Sequence, residues 1–452
     1  MERATEHQAS HLQSQGRNPM DGMTFARRCM TAAALFGAAF SSLDAQRADH
    51  DSGGVRIVKA RIDNALAAIV SSGRAAGVSA LVWQGGRERY FGTAGFADRE
   101  AKRPVARSDM MQIYSMTKPV TGVALMQLWE AGKFGLDDPL SRYLPEFADV
   151  RVLAGHDAAG KLLTRPPTRP ILVRDIMRHT AGFSYGMRET AADTQFRVID
   201  PLNLGIDLSE MGRRIASVPL LFDPGAEWNY SVAVDVQAVL VEKLSGVPFE
   251  TYVRTHVLDP LGMTETGWTQ PVSRAPRFAA MYRRDANGTL VHAPDSAART
   301  LNFGPRRLTM GGAGLAAPID DYMRFARMLL GGGALGDVRI LQATTVALMA
   351  TDQLDPRITE RFFLPGKGSV GFGLDFAVRV SPPKNAAENR GTVGEFFWDG
   401  AASTLFWIDP ANDLAAVFFV QTMPFDGTMH HDFRAAVYGA DYAGTTAGVR
   451  PH

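Results

Sequence analysis

The residues best suited to chemistry lie in the stretch YSMTKPV, Tyr114 to Val120. Ser115 and Lys118 are three residues apart, and on a helix this spacing places two side chains on one face, one turn apart. A lysine amine can take the proton of a serine hydroxyl if its surroundings keep the amine neutral. Pro119 has no N–H to bond the Ser115 carbonyl, so we expect Ser115 to begin a helix. The pair is a candidate nucleophile and base.

A second serine competes for the role of nucleophile. Ser184 lies in GFSYG, Gly182 to Gly186, which matches the Gly-x-Ser-x-Gly nucleophile elbow. That elbow requires a strand before the serine and a helix after it. The preceding ILVRDIMRHTAG instead has helical apolar spacing that ends at Gly182, so we predict that Ser184 is a loop residue and not the nucleophile.

The elements around Ser115 are predicted from apolar spacing. Residues 55–73 have apolar side chains at helical intervals. GVSALVWQGG and ERYFGTAGFAD read as two strands joined through Gly85 and Gly86, which is a hairpin signal. The helix that follows Ser115 is predicted to stop near Gly132.

The end of the chain again has strand character. GEFFWDGAASTLFWIDP (394–410) and DLAAVFFVQTM (413–423) are predicted as two strands, and HHDFRAAVYGA (430–440) as a closing helix. The middle of the chain, to about residue 330, is rich in Pro, Gly and helical patterns. Strands at both ends with helices between them indicate one α+β unit whose sheet takes strands from both ends of the chain.

Bulk composition excludes several classes of function. The chain has 452 residues, 46% of them hydrophobic and 21% charged, which is ordinary for a soluble globular protein. With 48 Lys plus Arg against 47 Asp plus Glu, the net charge of +1 does not favour a nucleic-acid partner. No apolar run is long enough to span a membrane. His430, His431 and Asp432 are adjacent rather than spaced as metal ligands, so they are predicted as a solvated face, with no metal and no cofactor.

The first 45 residues differ from the rest. They begin with a polar stretch, followed by an arginine pair and an apolar run from Cys29 to Phe40, which resembles a secretory signal peptide. Residues 1–45 are therefore predicted as a disordered leader and signal peptide, with cleavage after Ala45. Export to the periplasm or medium would follow, and Cys29, the only cysteine, would be removed. The alternative is a disordered or amphipathic arm on a cytoplasmic protein.

Four segments stand in the order found in the class C β-lactamase-like serine hydrolases: YSMTK, DPGAEWNYSVAVDV, MGGAGLAAPIDDYMRFARMLLGGG and FFWDGAASTLFWIDP. Within that superfamily the chain most resembles a family VIII carboxylesterase, over about residues 55–440. The resemblance implies an α+β fold of the β-lactamase/transpeptidase type. An antiparallel sheet flanked by helices would lie beside an all-helical region, about 132–330, with the active site between them.

The resemblance also assigns roles to residues. Ser115 matches the acylated serine, Lys118 the lysine that helps to deprotonate it, and Tyr230 the tyrosine that passes a proton to the leaving alcohol. A phenol acts as a base only beside positive charge, which Lys118 can provide, so the two are expected to act as a coupled pair. The backbone N–H groups of Ser115 and Ala401 would form the oxyanion hole.

Two motifs depart from the β-lactamase pattern. Tyr-x-Asn is replaced by Tyr230, Ser231 and Val232, and Lys-Thr-Gly by Trp398, Asp399 and Gly400. The lysine that would attract a substrate carboxylate is therefore lost, and Asp399 has the wrong charge for that purpose, which disfavours anionic acyl donors. The cleft is expected to be lined by Trp398, Gly400, Phe183, Tyr185 and Val232.

These residues predict a serine carboxylesterase that hydrolyses small neutral esters through a Ser115 acyl-enzyme. A β-lactamase or D-amino-acid peptidase of the same fold is the first alternative, and the lost Asn and Lys argue against it. An acyltransferase with the same acyl-enzyme is a further alternative. A non-catalytic acyl-peptide binding module is disfavoured by the complete set of Ser115, Lys118 and Tyr230.

Overall fold

The computed structural model of the protein describes residues 54–439 and 441–444. Contacts divide the chain into Met1–Gly54 and Val55–His452, and the main sheet and its helices belong to the second unit. The predicted leader and signal peptide, residues 1–45, and Cys29 lie outside the described residues. Their assignment therefore stays a prediction.

The main sheet is antiparallel and has eight strands. They are β1 (Gly77–Gln84), β2 (Arg87–Asp98), β3 (Arg103–Pro104), β4 (Val370–Phe372), β5 (Ala377–Arg379), β6 (Phe396–Asp399), β7 (Leu405–Asp409) and β8 (Leu414–Val420). Across the sheet the order is β4-β5-β6-β7-β8-β1-β2-β3, so the first hairpin pairs with the last strand. The predicted α+β fold, with a sheet built from both ends of the chain, is confirmed.

The α-helices lie on the sheet and in the region between its two sets of strands. They are α1 (Lys59–Ser71), α2 (Thr117–Glu130), α3 (Val173–Met177), α4 (Ala191–Ile199), α5 (Leu208–Ser217), α6 (Ala233–Ser245), α7 (Phe249–Val253), α8 (Asp295–Ala298), α9 (Thr300–Phe303), α10 (Ile319–Leu330), α11 (Ala343–Met349) and α12 (Gly427–Tyr438). Three of them begin at polar caps: Thr190 Oγ1 accepts the Asp193 N–H before α4, Asp207 Oδ1 accepts the Glu210 N–H before α5, and Asp426 Oδ1 accepts the Thr428 N–H before α12.

The sheet is covered on both faces. Every residue of β8 is buried, which explains its unbroken apolar sequence LAAVFFV. On one face Tyr322 of α10 packs against Phe406 of β7, with ring centroids 5.1 Å apart. On the other face Phe433 of α12 packs against Phe418 of β8, with centroids 4.9 Å apart. These layers form a rigid base for the site at the end of β6.

Two predicted elements need correction. The segment 394–410 is a hairpin, β6 and β7, and not one strand, because the chain reverses between Asp399 and Leu405 through Ser403, whose φ is +68°. The helix predicted to reach Gly182 is only the short α3, since His179, with φ +57°, leaves the helical conformation. Neither reversal has a glycine at the left-handed position, which is the usual sequence signal.

Short strand pairs outside the main sheet fix the loops. They are Met111–Gln112 with Ala316–Ala317, Val152–His156 with Leu162–Arg165, Trp228–Asn229 with Arg361–Phe362, Ala334–Leu335 with Val338–Arg339, and Tyr282–Arg284 with both Leu290–His292 and Thr422–Met423. Within residues 54–439 and 441–444, no helix has the length and apolar character needed to cross a membrane.

Candidate active site

Ser115 lies where a strained turn leads into a buried helix. The 3-10 turn Tyr114–Met116 directly precedes α2, so Ser115 stands at the helix beginning, as its neighbour Pro119 predicts. Tyr114 has φ +45°, a left-handed conformation that is costly for a residue with a bulky side chain. Such strain is commonly retained at functional sites. Ser115 is half-buried, so its hydroxyl stays accessible.

Two side chains converge on the Ser115 hydroxyl. Lys118 Nζ lies 3.2 Å from Ser115 Oγ, and the Tyr230 hydroxyl donates to the same oxygen at 2.8 Å. Lys118 is only 1% exposed, and its ammonium also donates to the Gly312 carbonyl at 2.8 Å. The ammonium lies 4.8 Å from the centre of the Tyr230 ring. A hydroxyl, a phenol and an amine therefore share one hydrogen-bonded network.

Tyr230 is held by rings on several sides. The Asn229 N–H donates to the His179 carbonyl, which fixes the backbone just before Tyr230. Around its ring lie Tyr185 at 5.6 Å, Phe363 at 5.2 Å, Trp398 at 5.3 Å and His179 at 5.1 Å, measured between centroids. Burial lowers the pKa of His179 well below its usual value, and the positive Lys118 lowers it further. His179 is thus a neutral wall of the site.

The charge of Lys118 is controlled by its neighbours. Burial lowers the pKa of Lys118, but Tyr185, Tyr230 and Asp235 raise it by more, so the net direction is upward. Asp235 Oδ1 accepts the Gly312 N–H at 2.9 Å, and the Gly312 carbonyl in turn accepts from Lys118. The network therefore favours the ammonium form of Lys118, the form that can place positive charge beside Tyr230.

Gly312 is required by this close packing. A Cβ at that position would lie 2.6 Å from Asp235 Oδ2 and 3.1 Å from Lys118 Nζ. The first distance is too short for a carbon atom, and the second would require the ammonium to shift by a few tenths of an ångström. The glycine-rich segment MGGAG thus brings backbone into contact with Lys118, and a side chain there would disturb the contact between Asp235 and Lys118.

The β6–β7 turn contains Ala401, the residue whose N–H is expected to be the second oxyanion donor. Gly400 approaches the Ser115 turn so closely that a Cβ would lie 2.5 Å from the Ile113 carbonyl oxygen. The next residue, Ala401, is exposed. Within the described residues, the N–H groups of Ser115 and Ala401 donate to no protein acceptor. Two unpaired N–H groups beside a nucleophile suit the oxygen of a tetrahedral intermediate.

A Gly400→Ala change should therefore impair catalysis. The added methyl group meets the Ile113 carbonyl and pushes Ala401 away from Ser115, so we expect kcat/KM for p-nitrophenyl butyrate to fall about 10²- to 10³-fold, as when one oxyanion donor is lost. Gly205→Ala is the matched control, because its methyl group meets only the side chain of the exposed Asn203. Equal activities of the two variants would show that the turn does not form the oxyanion hole.

The sequence that carries this site matches a known protein family. The family model described as Beta-lactamase matches residues 62–440, which is most of the chain. The chain belongs to the beta-lactamase family. The membership predicted from the order of the four motifs is thereby confirmed, and the fold with it.

Individual relatives of the chain include esterases. Protein Rv1367c of Mycobacterium tuberculosis is 35% identical over 380 residues, covering 82% of this chain and 91% of that protein. Esterase EstB of Burkholderia gladioli is 31% identical, covering 90% of this chain and 100% of that protein. The structure of EstCE1, described as a hydrolase with promiscuous acyltransferase activity, has a TM-score of 0.68 at 26% identity and covers 84% of this chain and 98% of its own.

Some residues expected to line the cleft of this beta-lactamase family member are placed differently. Val232 is fully buried where α6 begins, and Trp398 is 1% exposed beneath Tyr230. Phe183 packs against Phe147 at 5.6 Å, so its ring belongs to the core and not to the cluster around Ser115. These three side chains are buried in the core, so they support the site from beneath and do not line an open cleft. Tyr185 lies in the cluster, as expected.

The competing serine is structural. Ser184 lies in a loop and is 3% exposed. Its hydroxyl donates to Asp193 Oδ1 at 2.7 Å and accepts the Gly186 N–H at 2.9 Å. The hydroxyl thus joins its loop to the first turn of α4, and its position agrees with the prediction that Ser184 is a loop residue.

The prediction that His430 and His431 belong to one solvated face is wrong. His430 is buried, with Nε2 2.9 Å from the Ser403 carbonyl, and burial lowers its pKa to about 4. His431 is half-buried, with Nε2 2.8 Å from the Ala386 carbonyl. Neighbouring residues on α12 point to different sides, so one imidazole enters the core. Among the residues described, no cluster suited to a metal ion is found.

The segment that covers Tyr230, around Phe363, is not among the elements predicted from the sequence. Arg361–Phe362 pairs in parallel with Trp228–Asn229, and the next residue, Phe363, stacks on the next residue of the other strand, Tyr230. A cavity of about 580 Å³ lies along this segment. Two consecutive phenylalanines, 40% and 38% exposed, are the one signal that could have marked it as a binding segment.

Proposed function

We propose that the protein is a serine carboxylesterase that hydrolyses small neutral esters through a Ser115 acyl-enzyme. The observation that carries the proposal is the convergence of the Tyr230 hydroxyl, at 2.8 Å, and the Lys118 ammonium, at 3.2 Å, on Ser115 Oγ. This geometry fits nucleophilic catalysis with a general acid and base. The relatives that carry the name esterase support the choice of reaction.

Acylation begins when Ser115 Oγ attacks the ester carbonyl. After its hydroxyl has lost a proton to solvent, Tyr230 reacts as a phenolate, whose negative charge the nearby Lys118 ammonium stabilises. The phenolate takes the proton of the Ser115 hydroxyl and becomes a neutral phenol. The N–H groups of Ser115 and Ala401 bind the oxyanion of the tetrahedral intermediate. When the intermediate collapses, Tyr230 gives its proton to the leaving alcohol.

Deacylation repeats these steps with water as the attacking group in place of Ser115. Tyr230 takes a proton from the water that attacks the acyl-enzyme, and returns it to Ser115 Oγ as the acid product leaves. Lys118 keeps its proton throughout, which is consistent with the upward direction of its pKa. In this scheme Tyr230 is the acid and base, while Lys118 supplies charge and holds Ser115 in place.

Neutral substrates are favoured by the third motif. At the position of the β-lactamase lysine the protein has Trp398, which is buried beneath Tyr230. The following Asp399 forms an ion pair with Lys367, so that no unpaired cation is offered by this strand. A β-lactam or peptide carboxylate therefore lacks the partner that it has in β-lactamases.

A comparison of two substrates tests this proposal. We expect efficient hydrolysis of p-nitrophenyl butyrate and slow or no hydrolysis of a chromogenic cephalosporin, because only the second needs a carboxylate partner. The ratio of the two kcat/KM values is the quantity to measure, with Ser115→Ala as the control for background hydrolysis. Equal values would favour the β-lactamase alternative.

Acyl transfer is a second candidate function for the same acyl-enzyme. EstCE1 is described as having promiscuous acyltransferase activity, and the cavity of about 580 Å³ beside Phe363 has room for a small alcohol. Adding butanol to a reaction with p-nitrophenyl butyrate separates the two outcomes. Butyl butyrate as the main product would favour a transferase, and butyric acid a hydrolase.

A further inference from the structure

A buried ion pair lies beside the site and takes no part in the reaction scheme. Lys367, at the end of the 3-10 turn Leu364–Lys367, donates to Asp399 Oδ2 at the end of β6. Each of the two residues is only 4% exposed. Within the described residues, the Lys367 ammonium has no other hydrogen-bond acceptor. It is surrounded instead by aromatic rings: Phe425 at 4.2 Å, Phe363 at 4.7 Å and Trp398 at 5.5 Å.

The Lys367–Asp399 pair is connected to the reacting groups in two ways. Asp399 is followed directly by Gly400 and Ala401, the turn that reaches Ser115. From the other side, Phe363 stacks on Tyr230 and also lies under the Lys367 ammonium. The ion pair is therefore linked to the reacting groups through the turn that follows β6 and through Phe363.

Lys367 also lines the cavity that adjoins Tyr230. The cavity wall includes Phe363, Phe425 and Lys367, and its volume of about 580 Å³ suits a small organic group. The other charged residues around it form a rim in which two cations face two carboxylates: Arg188, Arg361, Glu227 and Glu360. The rim residues are half-buried or exposed, so water screens them, whereas Lys367 lies in the interior.

We propose that Asp399 sets the charge specificity of the enzyme by neutralising Lys367. The inference rests on the proposed esterase function and names the residues that confine it to neutral esters. A cation among aromatic rings in the interior would bind a substrate carboxylate strongly, and a carboxylate already held on β6 prevents this. The third motif itself has no lysine, and Lys367, which another segment brings beside it, is neutralised by Asp399.

Removing the charge of Asp399 and removing the charge of Lys367 should change the reactivity of anionic esters in opposite directions. Asp399→Asn leaves Lys367 cationic and accessible from the cavity, so an ester with a carboxylate on its acyl chain gains a partner. Lys367→Met leaves the Asp399 carboxylate and repels the same ester. The double variant has neither charge and should behave like the wild type. An ion pair that only stabilises the fold would affect charged and neutral esters alike.

The test uses two esters that differ only in one charge: mono(p-nitrophenyl) adipate and its methyl ester. We expect the wild type to prefer the methyl ester, and Asp399→Asn to raise the ratio of anionic to neutral kcat/KM about tenfold or more. Lys367→Met should lower this ratio, and the double variant should restore it. Melting temperatures report the stability of each variant separately.

The outcomes distinguish a failure of the masking role of Asp399 from a failure of the proposed esterase function. If Asp399→Asn does not fold, the fall of the ratio in Lys367→Met and its recovery in the double variant still support the masking role. A ratio that is the same in all variants overturns it, even when the wild type hydrolyses the methyl ester well. A wild type that hydrolyses neither ester overturns the proposed esterase function itself.

Discussion

Ser115→Ala should abolish the hydrolysis of p-nitrophenyl butyrate, with kcat/KM reduced on the order of 10⁴- to 10⁶-fold, as for other serine nucleophiles. The reason is that Ser115 Oγ is the shared acceptor of both Tyr230 and Lys118, so no other hydroxyl can replace it. A fluorophosphonate should add one mass increment to the wild-type protein and none to the variant. Peptide mapping should place the adduct on Ser115.

Ser184→Ala is the matched control for this experiment. It removes a hydroxyl of the same type, whose hydrogen bonds are made to Asp193 of α4 and to Gly186 and not to the groups around Ser115. We expect most of the activity to remain, and stability to fall by about 1 kcal/mol for each hydrogen bond lost. An adduct on Ser184, or loss of activity in this variant alone, would contradict the assignment of Ser115.

The parts of the site that sequence predicts are those encoded locally or by motif order. Ser115 and Lys118 are one helical turn apart, so their contact follows from spacing alone. Tyr230 is 115 residues from Ser115, and only the order of the motifs connects the two. Lys367 and Asp399 are 32 residues apart, and neither spacing nor periodicity connects them. Contacts of that last kind depend on how loops pack, which a single sequence does not encode in a readable pattern.

In the fold, too, some elements are predicted by local sequence and others are not. The unbroken apolar run of β8 predicts a buried strand because both faces of that strand are covered. The β6–β7 turn was missed because its left-handed residue is Ser403 and not glycine. Its conformation is held by one local and one tertiary bond: the Ser403 N–H donates to the Gly400 carbonyl within the turn, and the Ser403 hydroxyl donates to the distant Thr422 carbonyl. The β6–β7 turn therefore depends on packing as well as on local structure.

Tyr230→Phe and Lys118→Met should each reduce kcat about 10²-fold or more, the lower end for loss of a general acid or base. Tyr230→Phe removes the hydroxyl that donates to Ser115 but keeps the ring that stacks on Tyr185 and Phe363. Lys118→Met removes the charge that stabilises the phenol oxygen and keeps the buried volume. Burial raises the pKa of Asp235, so this carboxyl can take a proton when the ammonium is removed, which limits the loss of stability.

The Tyr185→Phe variant tests whether the reaction needs the phenol that donates to Ser115, or whether any phenol near Lys118 can serve. The ring of Tyr185 is stacked on Tyr230 at 5.6 Å, and the Lys118 ammonium lies 5.3 Å from its centre, but Ser115 accepts from Tyr230. The same chemical change at Tyr185 should therefore reduce kcat much less than Tyr230→Phe. Equal losses would mean that the two phenols share the proton, and the assignment of Tyr230 as the acid and base would fail.

The double variant of Lys118 and Tyr230 gives the decisive comparison. If Lys118 acts by stabilising charge on Tyr230, then its ammonium has nothing to stabilise once the phenol is gone. The loss in the double variant should then be close to that of the more damaged single variant, about 10²- to 10³-fold, and far from the product of the two. Steady-state kcat at saturating p-nitrophenyl butyrate measures this. Fully multiplicative losses would show instead that the two groups act independently, with Lys118 bound to Ser115 in a step that does not pass through Tyr230.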